Sequence, residues 1–148
     1  MNAILRIKHL LALGLGTAAL LLAGCETMQG MMGSKQVSVS LSGAEQVPPV
    51  NTAAKGSGSF TVAHDHAVSG SVSVSGLAPF AAHIHVGARG KNGPVAIGLT
   101  KSSDTLWVVP AGAKFTDEQY KSFLAGETYV NFHTAQHKGG EIRAQLQP

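Results

Sequence analysis

From Gln36 onward, apolar and polar residues alternate along the chain with a period of two. Val37, Val39 and Leu41 alternate with Ser38 and Ser40. Phe60 and Val62 share one face of residues 56–64, and Val72 and Val74 alternate with Ser71, Ser73 and Ser75 in residues 68–77. In residues 81–87, Ala82, Ile84 and Val86 oppose His83 and His85. Residues 95–99 and 106–109 give two shorter runs. Val130 and Phe132 oppose Tyr129, Asn131 and His133 in residues 127–134, and Ile142, Ala144 and Leu146 oppose Arg143 and Gln145 in residues 141–147. Successive side chains of a strand point to opposite faces, so the pattern predicts about eight strands, each with an apolar and a polar face. The expected fold is all-β: an antiparallel Greek-key, immunoglobulin-like sandwich.

One stretch breaks the alternation. Thr116 to Gln119 reads as a capping box, in which the Thr hydroxyl takes one orphan N–H and Gln119 reaches back. Tyr120, Phe123 and Leu124 follow at helical spacing, and Gly126 suits a left-handed C-terminal cap. This predicts one short helix closing an end of the sandwich. Pro48-Pro49 cannot complete a ladder and belongs at an edge or crossover. Residues 87–93, GARGKNG, read as a mobile turn between strands. They lack the Ser/Thr and the helix that a phosphate loop needs.

The first residues follow other rules. Arg6 and Lys8 precede an uncharged apolar run over residues 10–23, too short for a comfortable membrane span. The run ends in Leu22-Ala23-Gly24-Cys25, a box that resembles a bacterial lipoprotein signal. That resemblance implies cleavage after residue 24 and lipidation of Cys25 by diacylglyceryl and palmitoyl chains. Several chains hold a protein stably at a membrane where one does not. Glu26 follows the cysteine, which by the same resemblance implies the outer membrane, facing the periplasm. Residues 25–35 then read as a Gly-containing polar tether. Met28, Met31 and Met32 fall in it and are expected as linker residues rather than a copper site.

Charge confirms what the chain is not. The sequence has 11 Lys+Arg against 8 Asp+Glu, for a net +3, but Arg6 and Lys8 belong to the leader. A nearly neutral remainder without a basic run offers no footprint for nucleic acid. The single cysteine excludes a disulfide framework and a Cys-based zinc ribbon. Beyond the tether there is neither Met nor Cys, so a metal site there must use His, carboxylate or amide groups.

The histidines carry the candidate chemistry. His83 and His85, two apart on one strand, project from the same face. His133 lies on the polar side of its own strand and follows the same logic. Three imidazoles would make a set for Zn²⁺ or Cu²⁺, with His137 as candidate fourth ligand. Glu45, Glu141 and Arg143 are expected near this face, as an ion-pair set or as orienters of imidazole. His64 and His66 flank Asp65 in an expected solvated hairpin. The competing reading makes the histidines hydrogen-bond pins of a structural or protein-interaction module. No nucleophile elbow is present, so catalysis is not expected.

Four segments in order carry a family resemblance. They are LSGAEQVPPV at 41–50, AHIHVG at 82–87, Gly93-Pro94 ahead of a strand, and YVNFHT at 129–134 with GGEIR at 139–143. Together they resemble the CHRD domain, named for its occurrence in chordin, over roughly residues 36–147. The resemblance implies an all-β extracytoplasmic domain, frequent in bacterial envelope proteins and without a defined reaction. Ala144 and the turn over residues 135–138 depart from the family's pattern. The His-x-His strand is also similar to that of copper/zinc superoxide dismutase, although that enzyme's cysteine pair is missing here. A redox enzyme of that kind would require a metal with an open coordination position.

Overall fold

The computed structural model describes residues 33–148. The expected signal peptide, Cys25, and Met28, Met31 and Met32 of the tether lie outside the described residues. Among the described residues nine strands run β1 Lys35–Ser42, β2 Lys55–Val62, β3 Val68–Ser75, β4 Pro79–Val86, β5 Val95–Gly98, β6 Thr100–Lys101, β7 Leu106–Val108, β8 Thr128–Thr134 and β9 Ile142–Leu146. One helix of eight residues, α1 Asp117–Leu124, precedes β8. The all-β expectation holds, with β6 as an added strand. Its two exposed residues have no alternation to read.

All pairings are antiparallel in one sheet of order β5-β4-β8-β9-β1-β2-β3-β7-β6. Strands β5 and β6 end that order on opposite sides, yet only Leu99 separates them in the chain. The sheet therefore curls until its edges approach, so the two layers of the expected sandwich are wings of one barrel-like sheet. The Leu99 N–H donates to the Ala82 carbonyl at 2.9 Å. The apolar face of each strand turns inward. Across the interior, Trp107 of β7 meets Phe132 of β8 edge-on, with centroids 5.8 Å apart. The opposite faces of β1 to β3 carry the exposed serines Ser38, Ser40, Ser73 and Ser75, as the alternation requires.

The helix follows its capping box. Thr116 Oγ1 accepts from the Gln119 N–H, and Gln119 Oε1 accepts from the Thr116 N–H. Phe123 is fully buried and stands 6.0 Å from Phe115, centroid to centroid. Leu124, expected on the same stripe, is 47% exposed. The one-residue step past Phe123, about 100° around the helix, takes it off the buried face. Gly126 adopts φ 72° and ends the helix.

Strands β8 and β9 depart from the two-faced expectation, because every residue in both is buried. Their polar face lies under two connections, residues 43–54 and 87–94. Gln46 Nε2 donates to the Ile142 carbonyl at 3.1 Å, and Gln145 Nε2 donates to the Gly87 and Gly126 carbonyls at 2.8 and 2.9 Å. Asn92 Nδ2 donates to the Val47 carbonyl at 2.9 Å, joining the two connections. The turn over residues 87–93, read as mobile, is instead pinned over the sheet. Its polar backbone fills sites that alternation left to water.

The Trp107–Phe132 contact ties the two wings, so Trp107→Ala is expected to cost about 3–5 kcal/mol, the range for a large aromatic removed from a packed core. Leu124→Ala should change stability by less than about 0.5 kcal/mol, as surface substitutions do. Urea unfolding followed by far-UV circular dichroism measures both. Equal effects would show that the two wings are not joined through this contact.

Candidate metal centre

Strands β4 and β8 pair antiparallel with His83 opposite Asn131, His85 opposite Tyr129 and Ala81 opposite His133. The odd-numbered residues share one face, so the register brings all three histidines together. One ring nitrogen from each of His83, His85 and His133 lies within 4.8 Å of the others. His85 and His133 are buried and His83 is half-buried.

Hydrogen bonding fixes which nitrogen of each ring carries the proton. His133 Nδ1 sits 2.9 Å from the Lys138 carbonyl, which can only accept. The proton is therefore on Nδ1, and Nε2 holds a lone pair. That lone pair accepts from His83 Nδ1 at 3.0 Å. His85 Nδ1 likewise donates to the Gly93 carbonyl at 3.0 Å. Among the described residues its buried Nε2 makes no hydrogen bond of good geometry, although the Asn131 side chain lies near enough to act on the ring. An unsatisfied buried acceptor costs about 1–3 kcal/mol, so it calls for an explanation.

The site favours neutral rings. Burial is the main cause that lowers the His83 pKa below 6.5, with His133 and His85 adding to it. Burial also lowers His85, against the Gly93 carbonyl. His133 lowers it further, the Asn131 amide opposes, and Arg143 adds a smaller lowering. Neutral imidazole is the form that binds metal. Two ligands at about 2.0–2.1 Å in tetrahedral geometry stand roughly 3.3 Å apart. The 3.0 Å between His83 Nδ1 and His133 Nε2 is close to that span. A metal would take the place of the proton between them, which would move to His83 Nε2.

A stack of rings supports His85 from behind. Tyr129 lies parallel to it at 4.8 Å and 3°, and its hydroxyl accepts from the Gly93 N–H at 3.2 Å. The Arg143 guanidinium covers the other face of Tyr129, 3.4 Å from the ring centroid. Arg143 is 1% exposed. Among the described residues its hydrogen-bond acceptors are neutral: the Ala88 carbonyl, Asn92 Oδ1 and Gln145 Oε1 at 3.2–3.4 Å. Burial lowers its pKa, with Tyr129 and Glu45 opposing, but a guanidinium stays charged at neutral pH.

The other sequence candidates fall elsewhere. His137 is outside the cluster; its N–H bonds to Thr134 in the β8–β9 turn. Glu45 pairs with Arg89, so no ion-pair set with Glu141 and Arg143 forms. Glu141 accepts from Thr52 Oγ1 at 2.8 Å and Thr134 Oγ1 at 2.6 Å, and orients no imidazole. Arg143 reaches His85 only through Tyr129. Backbone carbonyls of Gly93 and Lys138 take the orienting role expected of carboxylates. His66 stacks on Tyr120 at 4.2 Å, while His64 Nδ1 meets the Tyr120 hydroxyl at 3.4 Å, so this pair belongs to the helix contact.

Two neighbours of the site escaped the sequence reading. Tyr129 showed only as a polar-face residue. Phe80 has even parity with the core residues Ala82 and Ile84, but the register shifts between Pro79 and Ala81. This irregularity turns Phe80 to the histidine side. It is 62% exposed there, with its ring 6.3 Å from His133.

The comparison with protein families matches the chain to the CHRD domain over residues 37–146. Comparisons with curated proteins and with solved structures found no match. The matched span runs through β1 to β9 and contains all three clustered histidines, Tyr129 and Arg143. The chain belongs to the CHRD domain family.

Proposed function

We propose that this protein is a binding module of the cell envelope that takes one divalent transition metal, copper or zinc, on His83, His85 and His133. The observation that carries the reading is the grouping of His83, His85 and His133, one ring nitrogen of each lying within 4.8 Å of the others, with a buried His85 Nε2 that has no hydrogen-bond partner among the described residues. Three neutral nitrogen ligands suit both metals, and a fourth position would remain for water or a partner's group. The geometry supports binding by three grouped imidazoles. One contact favours a second reading. The His83–His133 hydrogen bond already ties β4 to β8, as pins of a structural or protein-interaction module would.

Calorimetric titration of the detergent-solubilised chain with Zn²⁺ and Cu²⁺ separates the two. One-to-one binding is expected near pH 7.5, lost in a His83→Ala/His85→Ala variant. At pH 5.5 protons compete for the ring nitrogens, so affinity should fall, but by less than for free imidazoles because burial lowers the pKa of His83 and His85. Weak multi-site uptake, unchanged in the variant, would leave the histidines as architectural pins.

The Leu22-Ala23-Gly24-Cys25 box supports anchoring through lipid on Cys25, and Glu26 supports the outer membrane, facing the periplasm. A metal module tethered there would meet envelope proteins as partners. Labelled palmitate should enter the wild-type chain, while Cys25→Ser should abolish labelling and release the protein to the soluble fraction. Labelling that survives the substitution would refute the anchor.

A further inference from the structure

We propose that the site holds copper preferentially in the monovalent state, and that Arg143 sets this preference as a positioning residue acting through Tyr129. The inference rests on the reading of His83, His85 and His133 as ligands and refines it: divalent ions bind there, and monovalent copper binds more tightly.

The ligand set brings no negative charge. All three grouped residues are imidazoles. The nearby carboxylates are committed elsewhere, Glu141 to Thr52 and Thr134 and Glu45 to Arg89. A dication here would keep its full charge. Behind His85 stands a fixed cation, since Arg143 is buried and its hydrogen bonds go to neutral acceptors. Buried arginines ordinarily face a carboxylate that cancels their charge. Here only Tyr129 separates guanidinium from imidazole, 3.4 Å from one and 4.8 Å from the other.

The consequence is electrostatic. Copper passes from the divalent to the monovalent state by taking one electron from an external reductant. No bond to the protein need form or break, and one unit of repulsion with the guanidinium disappears. Zn²⁺ cannot shed that repulsion. Across two ring spacings, at the effective dielectric of a protein site, one unit charge alters the balance on the order of tenfold. Half-buried His83 and exposed Phe80 leave the opposite side open to a small reductant.

The test compares the full chain in detergent with Arg143→Gln and Arg143→Lys. Affinities for Cu⁺ and Cu²⁺ are measured by competition with chromophoric chelators, under anaerobic conditions for Cu⁺. Arg143→Gln should lower the ratio of Cu⁺ to Cu²⁺ affinity about tenfold, or about 59 mV in potential, while Arg143→Lys keeps most of the wild-type ratio. Copper bound with an unchanged ratio in Arg143→Gln overturns the inference and leaves the metal site standing. Failure of the wild type to bind either ion removes both. Should the variants not fold, the wild type decides alone. It must retain Cu⁺ against excess Zn²⁺, and displacement of Cu⁺ by Zn²⁺ would contradict the proposal.

Discussion

Strand β8 has no face in water, and the site follows from that constraint. Val130 and Phe132 point into the barrel, while Tyr129, Asn131 and His133 lie beneath the connections that cross the sheet. Buried polar groups need partners. The partners that the covering chain offers are largely backbone carbonyls, and a carbonyl can only accept. His133 and His85 must therefore each place a proton on Nδ1 and leave Nε2 bare. A rule of burial thus becomes a rule of tautomers, and the tautomers leave two strand histidines of one cluster each with an unprotonated Nε2.

The same covering chain accounts for the rigidity of the site. Gly93 accepts from His85 through its carbonyl and donates to the Tyr129 hydroxyl through its N–H. Only glycine fits there, since a Cβ would stand 1.7 Å from the Val86 carbonyl oxygen. On the other side, the turn over residues 135–140 brings the Lys138 carbonyl to His133. Arg143, Tyr129 and His85 then stack as three layers. Orientation comes from backbone and rings, so a metal could enter by replacing one shared proton, without rebuilding the site.

Much of this was legible in the residues. Alternation marked eight of the nine strands and placed His83 and His85 on one face. The capping box located α1. What was not legible depended on which chain segment lies over which strand. The polar positions of β8 and β9 looked solvated because alternation reports only that a residue is not in the main core. Glu45 looked like a partner for imidazole, yet the fold places Arg89 against it. His137 stood near His133 in sequence, but the turn directs its backbone to Thr134. Phe80 was hidden by the register shift before Ala81. The orienting groups at Gly93 and Lys138 are carbonyls, which no residue type can announce.

Backbone carbonyls hold His85 and His133 as Nδ1–H tautomers, each with an unprotonated Nε2. Long-range ¹H–¹⁵N correlation of the imidazole rings at neutral pH tests this directly. The metal-free protein should show His85 and His133 as fixed Nδ1–H tautomers. Addition of Zn²⁺ should move both Nε2 resonances and leave both Nδ1 protons in place. Rings protonated on Nε2, or Zn²⁺ that perturbs neither nitrogen, would contradict the account.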